Sequence, residues 1–350
     1  MSDPPATVLA AWSLAGAACD RLGSGHINST FRVTARGVAH VLQRLSPIFG
    51  VEVNEDIEAV TRALEGQGLC TPRLVRTTAG DLWHVDGEGA VWRLMTFIEG
   101  QTLLEADSPA RCAAAGRMLG RFHRALWDLE HRFRSRRLGV HDTPRHLENL
   151  RRALRDHGGH RLFAAIEPVG RGILEAAGGL DLTSDLPERV VHGDPKISNF
   201  IFDPKSGEAV ALVDLDTLAR MPLPVELGDA LRSWCAPRGE EIEGPIDLGY
   251  FEAAMAGYAG AVGDLPTGAE RRAVCPGVER IAVELAARFC ADALQESYFG
   301  WDPARFAGHA EHNLARARSQ LSLARSVRSV MAGMERLVQG AWLTAGIHSS

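Results

Sequence analysis

The chain contains no apolar run near the ~20 residues that a membrane span requires. It has no excess of positive charge either: 38 Lys and Arg against 44 Asp and Glu leave a net charge of -6 and a pI of about 6.1. Nothing electrostatic therefore points to nucleic acid. The six cysteines (Cys19, Cys70, Cys112, Cys235, Cys275 and Cys290) form no C-x-x-C pair. That excludes a zinc-ribbon reading and a disulfide framework, and leaves reduced, mostly buried thiols in a cytoplasmic protein. Internal repeats and low-complexity tracts are absent. Residues 6–18 (ATVLAAWSLAGAA) have the length of a signal h-region, but no basic segment precedes them and Asp3 does. They read as an ordinary N-terminal element. What is present is globular: 350 residues, 45% hydrophobic and 23% charged, enough for two domains.

The first hundred residues look strand-rich with one helix. GSGHIN at 23–28 reads as a turn between two strands, the second at 30–34, and residues 39–45 form a third. Residues 53–66 carry Val53, Ile57, Val60 and Leu64 at spacings of 4, 3 and 4, an amphipathic helix ended by Gly66. Residues 81–85 and 90–98 make a hairpin around Gly87 and Gly89. After Glu99 and Gly100 the pattern changes to helices, at 108–127, 144–156, 162–177, 249–262, 276–294 and 309–338, with another beginning at 226. The basic stretch 131–137 (HRFRSRR) reads as a solvated loop or helix end.

The chemistry is concentrated in VVHGDPKISNFIFDPKSGEAVALVDLDT, residues 190–217. It holds H-G-D-x-x-x-x-N (His192, Gly193, Asp194, Asn199) and, after an apolar run, D-L-D (Asp214, Leu215, Asp216). A protein-kinase catalytic loop reads H-R-D-x-x-x-x-N and is followed by a magnesium-binding Asp. Phosphoryl transfer needs one carboxylate to receive the hydroxyl proton, and oxygen ligands to clamp Mg²⁺ onto the nucleotide phosphates. Asp194 fits the first role, Asn199 and Asp214 the second, and His192 reads as an architectural hydrogen-bonding residue. Lys196 is placed to balance charge on the transferring phosphoryl group. Asp216 stays open between the second metal, a loop amide and a structural role. Gly23, Ser24 and Gly25 are either a phosphate-covering loop or a plain hairpin turn, and their place between the first two strands favours nucleotide contact.

With these pieces the chain resembles the aminoglycoside phosphotransferase/choline kinase superfamily, and within it bacterial N-acetylhexosamine 1-kinase-like proteins. The matching blocks are GSGHIN (23–28), VLQRLS (41–46), HDT (141–143), HGDPKISNFIFD (192–203), VDLDT (213–217), LGDALR (227–232), ARFCADALQESYFG (287–300) and NLARARSQLSLARSV (313–327). Ser29 departs from the acidic residue expected after GHIN in the sugar kinases.

The resemblance implies an α+β, bilobal, protein-kinase-like fold, with a β-rich lobe at 1–99 and a mainly helical lobe at 100–350. ATP would lie in the cleft with adenine against Thr96, Phe97 and Ile98, and Mg²⁺ would bridge its phosphates. Kinase-like folds pair a cation on the third strand with an acid on the helix. The expected lysine is missing from Val41-Leu42-Gln43-Arg44, leaving Arg44 as the candidate cation and Glu55 as its partner. Asp229 is expected to bond the catalytic-loop backbone. Arg288 is a candidate acceptor contact or else a helix-surface arginine. The acceptor would be a small molecule, a sugar phosphorylated at its anomeric hydroxyl. The alternatives are an aminoglycoside, choline or another amino alcohol, for which acids at 240–247 could supply anionic contacts, and a catalytically silent nucleotide-binding protein.

Overall fold

The computed structural model describes residues 3–22, 28–135, 141–180 and 185–347. Six antiparallel strands build the small region: β1 (Ala18–Arg21), β2 (Ser29–Ala35), β3 (Val38–Arg44), β4 (Leu74–Val75), β5 (His84–Val85) and β6 (Val91–Thr96). Their order is β1-β2-β3-β6-β4, with β5 on the far part of β6. Strand alternation divides the side chains between two faces. Phe31, Val33, Leu42, Trp92 and Leu94 face helix α1 (Ala6–Ala10) and, with Val8, Leu9 and Trp12, form a separate core. The N-terminal stretch is thus a packed element, as its sequence suggested.

The other face carries Met95, which joins the main core together with Val53, Ile57, Val60 and Leu64 of helix α2 (Val53–Gly66). The apolar spacing that marked α2 is the stripe it buries.

Among the described residues eight helices follow: α3 (Pro109–Ala125), α4 (Thr143–Asp156), α5 (Phe163–Ala177), α6 (Leu223–Trp234), α7 (Leu248–Val262), α8 (Gly268–Arg272), α9 (Val274–Gln295) and α10 (His309–Ile347). The α3 start is set by Ser108, whose side chain accepts from the Arg111 N–H, with Pro109 in the first turn. α3 and α7 touch backbone to backbone: a Cβ on Gly257 would lie 2.2 Å from the Ala113 carbonyl oxygen. α9 is buried on almost every side and carries Glu279, Glu284 and Asp292 into the interior. All six cysteines are free thiols, four of them buried. Among the described residues no helix is long and apolar enough to cross a membrane.

Two short antiparallel ladders position the chemistry. β7 (Glu188–Val191) pairs with β10 (Ala219–Pro222), and β8 (Phe200–Phe202) pairs with β9 (Ala209–Leu212). Residues 192–199 leave β7 for β8, and residues 213–218 leave β9 for β10. Pairing of both strand pairs forces the two loops to lie side by side: the Val213 N–H donates to the Asn199 carbonyl at 2.9 Å.

Candidate active site

The loop that leaves β7 is held from behind by α6. The His192 and Gly193 N–H groups donate to the two oxygens of Glu226, each at 2.9 Å. Trp234 Nε1 donates to the Pro195 carbonyl at 2.8 Å. His192 is fully buried, and its Nε2 donates to the Val213 carbonyl at 2.9 Å, tying one loop to the other. Gly193 has φ +83°, and a Cβ there would sit 2.1 Å from the Thr217 carbonyl oxygen, so a side chain has no room. Burial pushes the Glu226 carboxyl up, but hydrogen bonding and charge from His123, the His192 charge and the Gly193 N–H together hold it below the usual range.

Asp229 does not perform the backbone-tying role expected of it. It ion-pairs with Arg232 at 3.0 Å, and Glu226, one helical turn earlier, takes the loop amides. The signal for Glu226 was a lone acid in the otherwise apolar run LPVELG, since an unpaired carboxylate is rarely buried.

Asp194 lies at the open side of the loop. Its carboxylate is 2.6 Å from Lys196 Nζ and 3.3 Å from Asn199 Nδ2, and Asn199 Nδ2 also donates to the Asp194 carbonyl at 2.8 Å. Burial pushes Asp194 up; the Lys196 charge and hydrogen bond, with His192 and Asn199, outweigh it and leave the carboxyl below its ordinary value. Lys196 is shifted the opposite way: burial lowers it, and the Asp194 carboxylate raises it further. Lys196 is one of only two lysines in a chain with 38 Lys and Arg, so the compact ammonium at this position contrasts with general arginine use.

Asp214 has φ 64° and ψ 56°, a left-handed conformation that Asp tolerates better than most residues. Its carboxylate is half-buried and receives no hydrogen bond from any described residue. Burial, then the nearby charges of Asp216 and Asp194, push it above the ordinary Asp value. The Lys196 charge offsets only part of this. Asn199 spends its amide N–H groups on Asp194, which leaves its side-chain oxygen without a partner among the described residues, as a second hard donor. No group of three His, Cys, Asp or Glu side chains gathers as a metal cage among the described residues. Two oxygen donors of this kind suit Mg²⁺, which keeps waters and phosphate oxygens in its shell.

Asp216 resolves to the structural role. Both of its oxygens are occupied: Arg93 NH1 and NH2 donate to them at 2.5 and 2.9 Å, and Asn28 Nδ2 donates to one at 2.6 Å.

The expected pair Arg44 and Glu55 is not formed. Arg44 is exposed on the α1 face of β3, and Glu55 pairs with Arg134 at the surface. The reason is alternation: Leu42 and Arg44 share one face, so Gln43 occupies the cleft-side position. Gln43 stands directly opposite Arg93 on β6, and opposed residues project to the same face. Arg93, only 1% exposed, is the buried cation of the small region. Its signal was a single charge within the apolar strand VWRLMT.

Gly23, Ser24 and Gly25 lie outside the described residues. Of the basic stretch, residues 131–135 are described and are not simply solvated. His131 Nε2 is 2.7 Å from the buried Asp56 carboxylate, which also accepts the Arg134 and Ser135 N–H groups.

Thr96 ends β6 opposite His40, and its hydroxyl accepts the Arg73 N–H at 2.9 Å; Phe97 and Ile98 continue past the ladder, half-buried. Arg32 lies 4.5 Å over the Phe97 ring. On the helical side, His141 Nδ1 and the Thr143 hydroxyl bond Glu284 at 2.9 and 2.6 Å. Arg288 on α9 is half-buried over the rings of Tyr298 and Phe299, at 6.0 and 5.4 Å. Its charge acts on His141, as does that of Asp229, which in turn acts on Lys196. These groups, all carried by the helical region, are the candidates for an acceptor wall.

Residues 19–261 match the model of the phosphotransferase enzyme family. The chain belongs to that family. This phosphotransferase is similar in structure to an aminoglycoside phosphotransferase from Alicyclobacillus acidocaldarius, with TM-score 0.64 and 18% identity over 97% of this chain and 98% of the other. It is similar to a microcompartment-associated aminopropanol kinase at TM-score 0.64 and 16% identity, covering 95% and 98%. An amicoumacin kinase in complex with AMP-PNP and Ca²⁺ matches at TM-score 0.58 and 14% identity over 87% of each chain. At these identities the neighbours establish the α+β kinase-like fold. With the family match, the protein is a small-molecule kinase.

Proposed function

We propose that this phosphotransferase transfers the γ-phosphoryl group of ATP to the anomeric hydroxyl of a free hexose, an N-acetylhexosamine or close relative. Residues 1–99 would hold the nucleotide and residues 100–350 the acceptor, with adenine against Thr96, Phe97 and Ile98. Asn199 and Asp214 would hold Mg²⁺, which when bound neutralises charge on the β and γ phosphates. Asp194 would accept the hydroxyl proton as the sugar oxygen bonds to the γ phosphorus and the bond to the β-γ bridging oxygen breaks, releasing ADP. Lys196 keeps Asp194 ionised and stands beside the transferring group.

The observation that carries the acceptor reading is the charge balance of the wall. Asp229 is matched by Arg232 at 3.0 Å, Glu284 by His141 at 2.9 Å, and Glu240 by Arg232 at 3.0 Å. Glu241 is matched by Arg305 at 3.7 Å and Arg316 at 3.9 Å, and Asp247 caps α7 by accepting the Gly249 and Tyr250 N–H groups. Of the acids that might have attracted an aminoglycoside or choline, Asp229 and Glu240 share Arg232 and only Glu243 is exposed without a partner among the described residues, while Arg288 has ring faces but no carboxylate partner there. A wall of this kind favours a neutral polyhydroxy acceptor over a cation. A carboxylate held below its ordinary value is a weak base, and an anomeric hydroxyl is more acidic than an ordinary alcohol, so the two are matched.

Phosphorus NMR of the products from a panel of free sugars and amino alcohols tests the proposal. A sugar 1-phosphate is expected. A 6-phosphate, or turnover confined to amines, overturns the anomeric reading and leaves phosphotransfer standing.

A further inference from the structure

The strongest feature that the reaction scheme does not use is the buried cluster between the sheet and the loop after β9. Arg93 and Asp216 come from opposite sides of the cleft, 123 residues apart, and each is 1% exposed. The guanidinium donates through Nε and NH2 to Gln43 Oε1 at 2.9 and 2.6 Å, and through NH1 and NH2 to both oxygens of Asp216. Asn28 completes the cluster: its Nδ2 donates to Asp216, and its Oδ1 accepts the Ser46 N–H at 2.8 Å. Such a two-point fork fixes the direction of a carboxylate, which a point charge does not do.

Asp216 sits in a single 3-10 turn, Leu215–Thr217, whose preceding residue is Asp214 in its left-handed conformation. The Asp214 side chain receives no hydrogen bond of its own from a described residue. Its direction is therefore set by the backbone of this turn, and the turn is held by Arg93 on one side and by the His192-Thr217 hydrogen bond (2.8 Å) on the other.

We infer that Arg93 is a positioning residue that aims the Asp214 carboxylate at the metal by clamping Asp216, and that it replaces the strand-lysine and helix-acid pair of kinase-like folds as the tie across the cleft. This rests on the reading of Asp214 as a metal ligand. A lysine in the usual place reaches phosphate directly. Arg93 cannot do so while its Nε, NH1 and NH2 are all engaged, so it acts on the nucleotide only through the metal loop.

The test is calorimetric titration of AMP-PNP with and without Mg²⁺, on the whole chain, which needs no turnover. The Mg²⁺-dependent gain in affinity should fall about 10- to 100-fold in Arg93→Lys, as it does when partners behind metal ligands are removed, while magnesium-free affinity stays at the wild-type value. The paired replacement Arg93→Met with Asp216→Leu removes both charges together, so neither is left buried alone. It should melt closer to wild type than Asp216→Leu alone, which leaves the guanidinium unpaired, and still lose the Mg²⁺ gain. A full Mg²⁺ gain in either variant refutes the inference. An equal loss without Mg²⁺ also refutes it, by making Arg93 a phosphate ligand. Asp214→Asn separates the two readings: if it retains the gain, the metal assignment itself falls, whereas loss of the gain there with none in Arg93→Lys sinks only the role of Arg93.

Discussion

The two loops of the site are held by opposite means. The loop bearing Asp194 is anchored wholly within the helical region, where Glu226 accepts two of its amides and Trp234 donates to a third point. The loop bearing Asp214 is tied to the first through His192 and is also anchored across the cleft, where Arg93 of the sheet grips Asp216. The difference separates two tasks. The loop of the candidate base rests on core residues of α6 and meets the sheet only through the Asp214 loop. If Asp214 holds the metal as proposed, its loop is tied to the sheet of the small region, the proposed nucleotide side.

Substitutions at each anchor can break that contrast. The largest effect is expected at the base: Asp194→Asn should lower kcat by about 10²- to 10⁴-fold with nucleotide affinity unchanged by calorimetry. Near-normal kcat would remove Asp194 from its role. Asp216→Ala comes next. It leaves Arg93 buried without a counter-charge, and chemical denaturation should show a loss of about 3–5 kcal/mol. Asp214→Ala, by comparison, should cost Mg·nucleotide affinity and little stability; equal effects of the two would erase the distinction between ligand and anchor. Glu226→Gln turns an N–H group toward a backbone N–H, and should destabilise by about 1–3 kcal/mol while kcat falls and the Mg²⁺ dependence holds. If Mg²⁺ affinity fell instead, the two loops would not be independently held.

A smaller, directional effect concerns pH. Asp194 is held below its ordinary value chiefly against burial by Lys196, so it stays ionised as pH falls until its depressed value is reached. Lys196→Met removes the charge that depresses it, and the acid limb of kcat/KM should then move toward neutral pH. A limb that stays in place would show that Lys196 does not set the base. The smallest effect belongs to Arg44→Ala: on the exposed α1 face it should change stability by no more than about 0.5 kcal/mol and leave nucleotide affinity alone.

Much of the fold was legible because it rests on short-range pattern. The stripe Val53, Ile57, Val60 and Leu64 marked α2, Ser108-Pro109 marked the start of α3, and Gly87 and Gly89 marked the turn before β6. The two-residue strand β4 and the five-residue α8 escaped, since neither is long enough to show a period. The acids at 240–247 looked available in the sequence. Their partners Arg232 and Arg316 come from elements that only folding brings near.

By itself the sequence determined the candidate reacting groups: Asp194, Lys196 and Asn199 lie within one loop, and the local chain alone is enough to bring them together. The tertiary structure decided what holds them. Glu226 rather than Asp229 meets the loop because of how α6 is rotated against it, one helical turn apart. Arg93 rather than Arg44 enters the cleft because β6 lies beside β3 and the pleat sends Gln43, not Arg44, inward. Both choices depend on which face an element presents to a neighbour distant in sequence, and that is settled by packing, not by spacing along the chain.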